Sequence, residues 1–121
     1  MRILICGDRN WNDEKTMEGF FNTLPDNTVI IEGECKGADK MARRQGEKRG
    51  FQVLGFPADW NKYGKIAGPI RNIQMLEEGN PDLVVAFHND LSKSKGTKNM
   101  IKQAMDKGVR VKVICSGTQF L

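Results

Sequence analysis

The sequence has no long hydrophobic run: the longest, Leu83 to Phe87, covers five positions before His88 interrupts it. A membrane-spanning helix needs roughly 18 such residues, so none is expected. Cysteine is scarce as well, and Cys6, Cys35 and Cys115 are odd in number, widely spaced and without a CxxC pair. That pattern argues against a disulfide framework or a zinc site and fits reduced thiols in a reducing compartment. No metal is expected. The opening Met1-Arg2 followed by Ile3-Leu4-Ile5-Cys6 carries neither the apolar segment nor the small-residue cleavage site of a secretory signal, so a cytoplasmic protein is expected. The single histidine, His88, has no second histidine or obvious nucleophile beside it in sequence and is expected on a surface loop. Internal repeats and low-complexity tracts are absent.

What is present is the composition of one ordinary domain spanning residues 1–121, with 39% hydrophobic and 28% charged residues. It is too apolar for the disordered class and can bury one modest core, alone or in a small oligomer such as a homodimer. Nineteen Lys and Arg against fifteen Asp and Glu leave a net charge of +4. The excess is spread through the chain, although Arg43, Arg44, Lys48 and Arg49 crowd one segment and Lys93, Lys95 and Lys98 another. A nucleotide suits this balance as well as DNA does, and any DNA binding should be weak, sequence-independent and steeply salt-dependent.

Short β-rich runs alternate with helical patterns from end to end. Strands are expected at Arg2 to Cys6, Thr28 to Glu32, Phe51 to Phe56, Asp82 to Phe87 and Val109 to Ile114. Helices are expected at Asn12 to Leu24, Gly37 to Arg49, Gly68 to Glu78 and Gly96 to Lys107. Met17, Phe20, Phe21 and Leu24 recur on one face of the first, and Ile101, Ala104 and Met105 on one face of the last. This alternation implies an α/β fold, a doubly wound parallel sheet with helices on both faces. Ile3 to Cys6 and Leu83 to Phe87 are nearly continuous apolar runs and belong at the centre, whereas the alternating Val109-Arg110-Val111-Lys112-Val113 suits an edge. Pairing the first strand with the fourth gives the order 3-2-1-4-5 and puts the ligand crevice beyond the carboxyl ends of those two strands. Pro57 to Ala67 is the one long irregular stretch and carries Trp60 and Tyr63, which suggests a segment folding over a pocket.

Four polar, glycine-containing segments follow strand ends or open helices: Gly7-Asp8-Arg9-Asn10-Trp11, Gly33 to Asp39, Gly68-Pro69-Ile70-Arg71-Asn72 and Ser94-Lys95-Gly96-Thr97. Glycine admits a ligand close to backbone, and a helix N-terminus offers free N–H groups to an anion. Lys95-Gly96-Thr97 is the best phosphate cradle, its alternative being a cap that serves only the helix. Neither GxGxxG nor GxxxxGK[ST] is present, which argues against a standard NAD site or P-loop, and no cofactor is implied. Asp39 is assigned to ribose hydroxyls, or else to the helix dipole. Arg71, beside Ile70 and Ile73 that should face the core, needs a partner, either an anionic ligand or a neighbouring acid. Trp11 and Trp60 serve base stacking or packing.

Together G-D-R-x-W, G-x-x-x-G-A-D, A-x-W, G-x-x-R-N, D-x-x-x-A-F and G-T resemble the YspA-like, cpYpsA-related branch of the SLOG superfamily over nearly the whole chain. The resemblance implies a Rossmann-like fold that binds nucleotides or nucleotide-derived ligands, with the LOG phosphoribohydrolases and the DNA-processing protein DprA as relatives. Against the LOG pattern, Arg71 and Met75 fall on the Arg and Met of M-x-x-R-K-x-x-M, Asp82 on the acidic strand start, and Gly96 and Thr97 on the last Gly-Thr. The Pro-Gly-Gly of that family is replaced by Asp90 to Lys95, and Met100 stands where it has its catalytic Glu. Asp8 stands where the YspA-like pattern usually has Ser.

The resulting expectation is a sensor or sequestering protein for a nucleoside monophosphate or ADP-ribose-type nucleotide. Arg71, Gly96 and Thr97, with Asn72 and Lys95 beside them, would hold phosphate. Gly33 and Asp39 would hold the ribose and Arg9 or Trp11 the remainder, with Gly7 and Gly37 also among the ligand-binding residues. The alternatives are a LOG-type nucleotide N-glycosidase with Glu34 or Asp39 replacing the missing Glu, and Arg71 beside it, or a DprA-like single-stranded DNA binder.

Overall fold

The computed structural model describes residues 1–120 as five parallel strands in the order β3-β2-β1-β4-β5 flanked by helices. The strands are β1 (Arg2–Gly7), β2 (Val29–Glu32), β3 (Gln52–Gly55), β4 (Leu83–Phe87) and β5 (Arg110–Ile114). The helices are α1 (Glu14–Phe21), α2 (Ala38–Lys48), the single turn α3 (Trp60–Tyr63), α4 (Ala67–Gly79) and α5 (Lys95–Asp106). Among the described residues no helix is long and apolar enough to cross a membrane.

β1 pairs with β2 on one side and with β4 on the other, Ile5 opposite Val85 and Gly7 opposite Phe87. Side chains alternate across a strand, so the sheet separates two cores. Ile3, Ile5, Ile30, Val85 and Phe87 face α1 and α2 through Met17, Phe20, Phe21, Met41 and Ala42. Leu4, Cys6, Ile31, Val84 and Ala86 face α4 and α5 through Met75, Leu76, Met100 and Ala104. Burial on both faces explains why the β1 and β4 sequences show no polar alternation.

Three expectations fail locally. Ile73 is 41% exposed, because α4 turns Asn72, Met75, Leu76 and Gly79 to the sheet, and Met105 is 65% exposed, because α5 packs through Thr97, Met100 and Ala104. His88 is buried rather than on the surface. The β4–β5 ladder runs one residue past β4, the His88 N–H donating to the Ile114 carbonyl at 3.1 Å, while its Nδ1 accepts the Asp90 N–H at 3.0 Å. The irregular stretch 57–67 contains α3, capped by the Asp59 carboxylate, and then a 3-10 turn over Gly64–Ile66.

The C-terminal segment is tied back to α1 by Asp13. As N-cap it accepts the Thr16 N–H at 3.0 Å and the Thr16 hydroxyl at 2.6 Å, and it also accepts the Ser116 hydroxyl and, at 3.2 Å, the Gly117 N–H. The Ser116 and Thr16 hydrogen bonds hold its carboxyl at about 2, below the ordinary 3.8. Depression means that this stabilisation is complete above the unfolded value and is lost as pH falls through about 2. Asp13→Ala should cost about 1 kcal/mol in urea unfolding at neutral pH, the usual loss of an N-cap, and the gap to wild type should close on acidification. A gap that persists undiminished in acid would contradict the carboxylate's role.

Candidate functional site

At the carboxyl ends of β1 and β4, where the strand order reverses, lies a cleft of about 400 Å³. One wall comes from Cys6 and Gly7 of β1, Arg9 in the next loop, and Cys35 and Asp39 of the β2–α2 segment. Trp60, Lys65 and the start of α4 from Gly68 to Asn72 form the second, and Lys93 to Thr97 with Met100 form the third.

The loop after β1 is pressed against its neighbours. Gly7 has φ +150°, and a Cβ there would lie 2.2 Å from the Phe87 carbonyl oxygen. The Asp8 carbonyl accepts the N–H groups of Trp11 and Ala38, both at 3.1 Å, and Gly37 at φ +82° leaves room for the Asp8 and Arg9 carbonyls. Trp11 thereby enters the core. Its ring meets Phe87 edge to face at 5.4 Å and its indole N–H donates to the Asp13 carbonyl, so it does not line the cleft.

The β2–α2 segment is organised by Asp39. Its Oδ2 accepts the N–H of Gly33 at 3.1 Å and of Cys35 at 3.2 Å. This is a loop clasp rather than a carboxylate serving only a helix dipole. Burial, the largest cause, pushes Asp39 up to about 7; Glu32 adds to the rise, while the two amides and Arg71 oppose it. Burial likewise keeps Cys6 a neutral thiol. Glu34 does not line the cleft: at φ +60° it runs toward Gly55, where Glu32 is fully buried and paired with Arg43 at 2.8 Å.

Within the protein Arg71 finds its partners on a backbone carbonyl and neutral side chains, not on a neighbouring acid. Its Nη1 donates to the Gly33 carbonyl at 2.7 Å and approaches Cys35 Sγ at 3.7 Å, and its Nε donates to Asn72 Oδ1 at 3.1 Å. Gly33 does not line the cleft, yet any larger residue there would displace Arg71, since a Cβ would sit 2.6 Å from Nη1. Asn72 is buried and stitches α4 to α5, donating to Asn99 Oδ1 at 3.0 Å and to the Gly96 carbonyl at 3.4 Å.

At the head of α5, Ser94 is the N-cap, its Oγ accepting the Thr97 N–H at 3.2 Å and donating to Thr97 Oγ1 at 2.8 Å. The Thr97 N–H is therefore already used. Lys95 and Gly96 occupy the first two helical positions, whose N–H groups have no intrahelical acceptor, and no atom lies within 4 Å of a Cβ built at Gly96.

The structure thus brings Gly7, Arg9, Asp39, Arg71, Asn72, Lys95, Gly96 and Thr97 to one cleft and leaves Trp11, Gly33, Gly37 and Glu34 outside it. It adds Lys65 and Lys93, which carry no motif of their own. The length of the 57–67 segment hinted at a covering element; Lys65 lies in the 3-10 turn after α3 and, though exposed, borders the cleft. Five cationic side chains then share the cleft with one carboxyl, Asp39. Among the described residues no group of three or more His, Cys, Asp or Glu is placed to hold a metal ion.

Residues 1–63, carrying the first two loops and Asp39, match the sequence model of the YspA, cpYpsA-related SLOG family. The chain belongs to this family. It is similar to the Gene 61 protein of Mycobacterium phage D29, 34% identical over 119 aligned positions that cover 91% of this chain and 93% of that one. Among solved structures, DNA processing protein A (DprA) from Streptococcus pneumoniae shares the fold, with a TM-score of 0.74 at 17% identity. That match covers 93% of this chain and 49% of DprA, so this SLOG chain spans about half the length of DprA.

A carboxyl raised from 3.8 to about 7 binds its proton more tightly in the folded state than in the unfolded one. Its contribution to stability therefore falls as pH rises from about 4 to about 7 and then levels off. Asp39→Asn removes that slope, so urea midpoints at pH 5 and 8 should differ less in the variant than in wild type. An equal pH dependence in both would place the titrating group elsewhere.

Proposed function

We propose that the cleft binds a phosphorylated ribose ligand, a nucleoside monophosphate or an ADP-ribose-type nucleotide, and that the protein senses or sequesters it. The observation that carries this reading is the charge of the cleft: Arg9, Lys65, Arg71, Lys93 and Lys95 converge there against a single carboxyl that burial disposes to be neutral. Such an arrangement favours an anion, and free N–H groups at the head of a 12-residue helix add to it. Phosphate sits at Lys95 and Gly96, where Lys93 and Arg71 reach it, and Thr97 supports the cradle from beneath through its bond to Ser94. Trp60, 54% exposed on the rim, offers a face for a base. A volume of about 400 Å³ lies at the lower end of the range for small-ligand sites and suits one nucleotide.

Hydrolysis of the N-glycosidic bond needs a group to move a proton, and general acid–base help is typically worth about 100- to 10,000-fold in rate. Met100, buried in the cleft wall at the position of the LOG Glu, supplies none. Glu34 points away, and Asp39, whose Oδ2 is held by two backbone amides, offers the cleft only Oδ1. The resemblance in fold to DprA raises single-stranded DNA as another ligand. The exposed aromatics near the cleft, Trp60 and Tyr63, belong to one turn instead of a groove of successive stacking platforms.

Calorimetry of Arg71→Ala should show affinity for a nucleoside monophosphate weakened by ~1.5–3 kcal/mol, the scale of a charge-assisted hydrogen bond. Unchanged affinity would remove Arg71 from the site. Chromatography of nucleoside monophosphates incubated with wild type should detect little or no free base. Robust release that disappears in Glu34→Gln or Asp39→Asn would establish a relocated catalytic acid and make the enzyme reading the better one.

A further inference from the structure

Asp39 is buried, only 8% exposed, and its two carboxyl oxygens have different surroundings. Oδ2 takes both backbone N–H groups of the clasp. Oδ1 has no hydrogen bond within the protein, and among the described residues no buried side-chain oxygen lacks a partner, so Oδ1 is the oxygen that reaches the cleft. A nearly buried acceptor with an open lone pair thus lines a site that it shares with five cationic side chains. Once the carboxyl is ionised, as at pH 8, a phosphate cannot fill it, because both groups are then acceptors; a hydroxyl can.

From this placement, resting on the nucleotide reading above, we infer that Asp39 Oδ1 accepts a hydrogen bond from the ribose 2′-hydroxyl and so makes the site specific for ribonucleotides over 2′-deoxyribonucleotides. Arg71 fixes the geometry. It lies on the Gly33 carbonyl at 2.7 Å, and the Gly33 N–H is held by Asp39, so a phosphate engaged by Arg71 brings its own sugar to the Asp39 side. A deoxyribonucleotide leaves Oδ1 facing carbon in a confined space, and unmet buried acceptors are what give hydroxyl-reading sites their selectivity. The same feature disfavours DNA in this cleft.

The test is calorimetry at pH 8 with the four ribonucleoside 5′-monophosphates, their 2′-deoxy counterparts and inorganic phosphate, on wild type and Asp39→Asn. Wild type should bind its preferred ribonucleotide about 10- to 100-fold more tightly than the deoxy form. In Asp39→Asn the ratio should fall toward one while phosphate binding persists. The ¹³C shift of the Asp39 carboxyl in wild type, which needs no variant, should move with the ribonucleotide far more than with the deoxynucleotide. Equal affinities for the two sugars, a ratio unchanged by Asp39→Asn, or discrimination by base alone would overturn this inference and leave nucleotide binding intact. Failure of every nucleotide and of phosphate to bind would overturn both.

Discussion

The hydrogen bond from Arg71 to the Gly33 carbonyl is the contact on which the site depends. It joins α4, which packs on one face of the sheet, to the segment between β2 and α2, which packs on the other. The Gly33 peptide is held from both sides, its carbonyl by Arg71 and its N–H by Asp39. The absence of a Cβ at Gly33 lets the guanidinium lie across the chain. A cation and an acid that burial would otherwise set apart are thereby fixed on one short stretch of backbone. Each keeps part of its hydrogen-bonding capacity for the cleft.

That arrangement also explains why Asp39 and Arg71 are not a simple ion pair. Asp39 is held by two backbone amides and Arg71 by the Gly33 carbonyl and neutral side chains, with charge attraction a secondary influence on Asp39, so desolvation raises the carboxyl well above the ordinary range. A direct bidentate pair would consume the polar edges of both groups and close the floor of the cleft. Linking them through a peptide keeps them adjacent and leaves each open on one side.

Most of the fold was legible because its signals are redundant. The apolar runs of β1 and β4, the charge alternation of β5 and the strand–helix rhythm all specify the same sheet, and right-handed crossovers leave few topologies. The lining of the cleft was legible where it coincides with a strand end or the opening turns of a helix, as at Arg9, Asp39, Arg71 and Gly96. It was opaque where a side chain's direction is set by tertiary context. Trp11 sits among polar loop residues, yet the tight turn around the Asp8 carbonyl directs it onto Phe87. Gly33 reads as a ribose-binding glycine, but it does not line the cleft, and its lack of a Cβ makes room for Arg71. His88 reads as a loop residue because nothing local reveals that the β4–β5 ladder continues through it. Lys65 belongs to a segment whose one-turn helix is too short to leave a periodic signature.

The gathered cations carry a further consequence for how the cleft is stabilised. Lys65, Lys93 and Lys95 come from separate segments and have long, flexible stems; Lys93 makes one exposed pair, with Asp90 at 3.9 Å, which contributes little. Their mutual repulsion is tolerated because water screens it while the cleft is open. An anion entering between them replaces that screening with direct contacts, and because it binds the folded arrangement alone it raises stability by mass action. The apolar floor of Met75 and Met100 matters here, since a low-dielectric wall strengthens each charge contact made beside it. A carboxylate at position 100 would provide acid–base chemistry but would also offset part of the positive field. In this chain, methionine at that position is consistent with a cleft built to hold an anion.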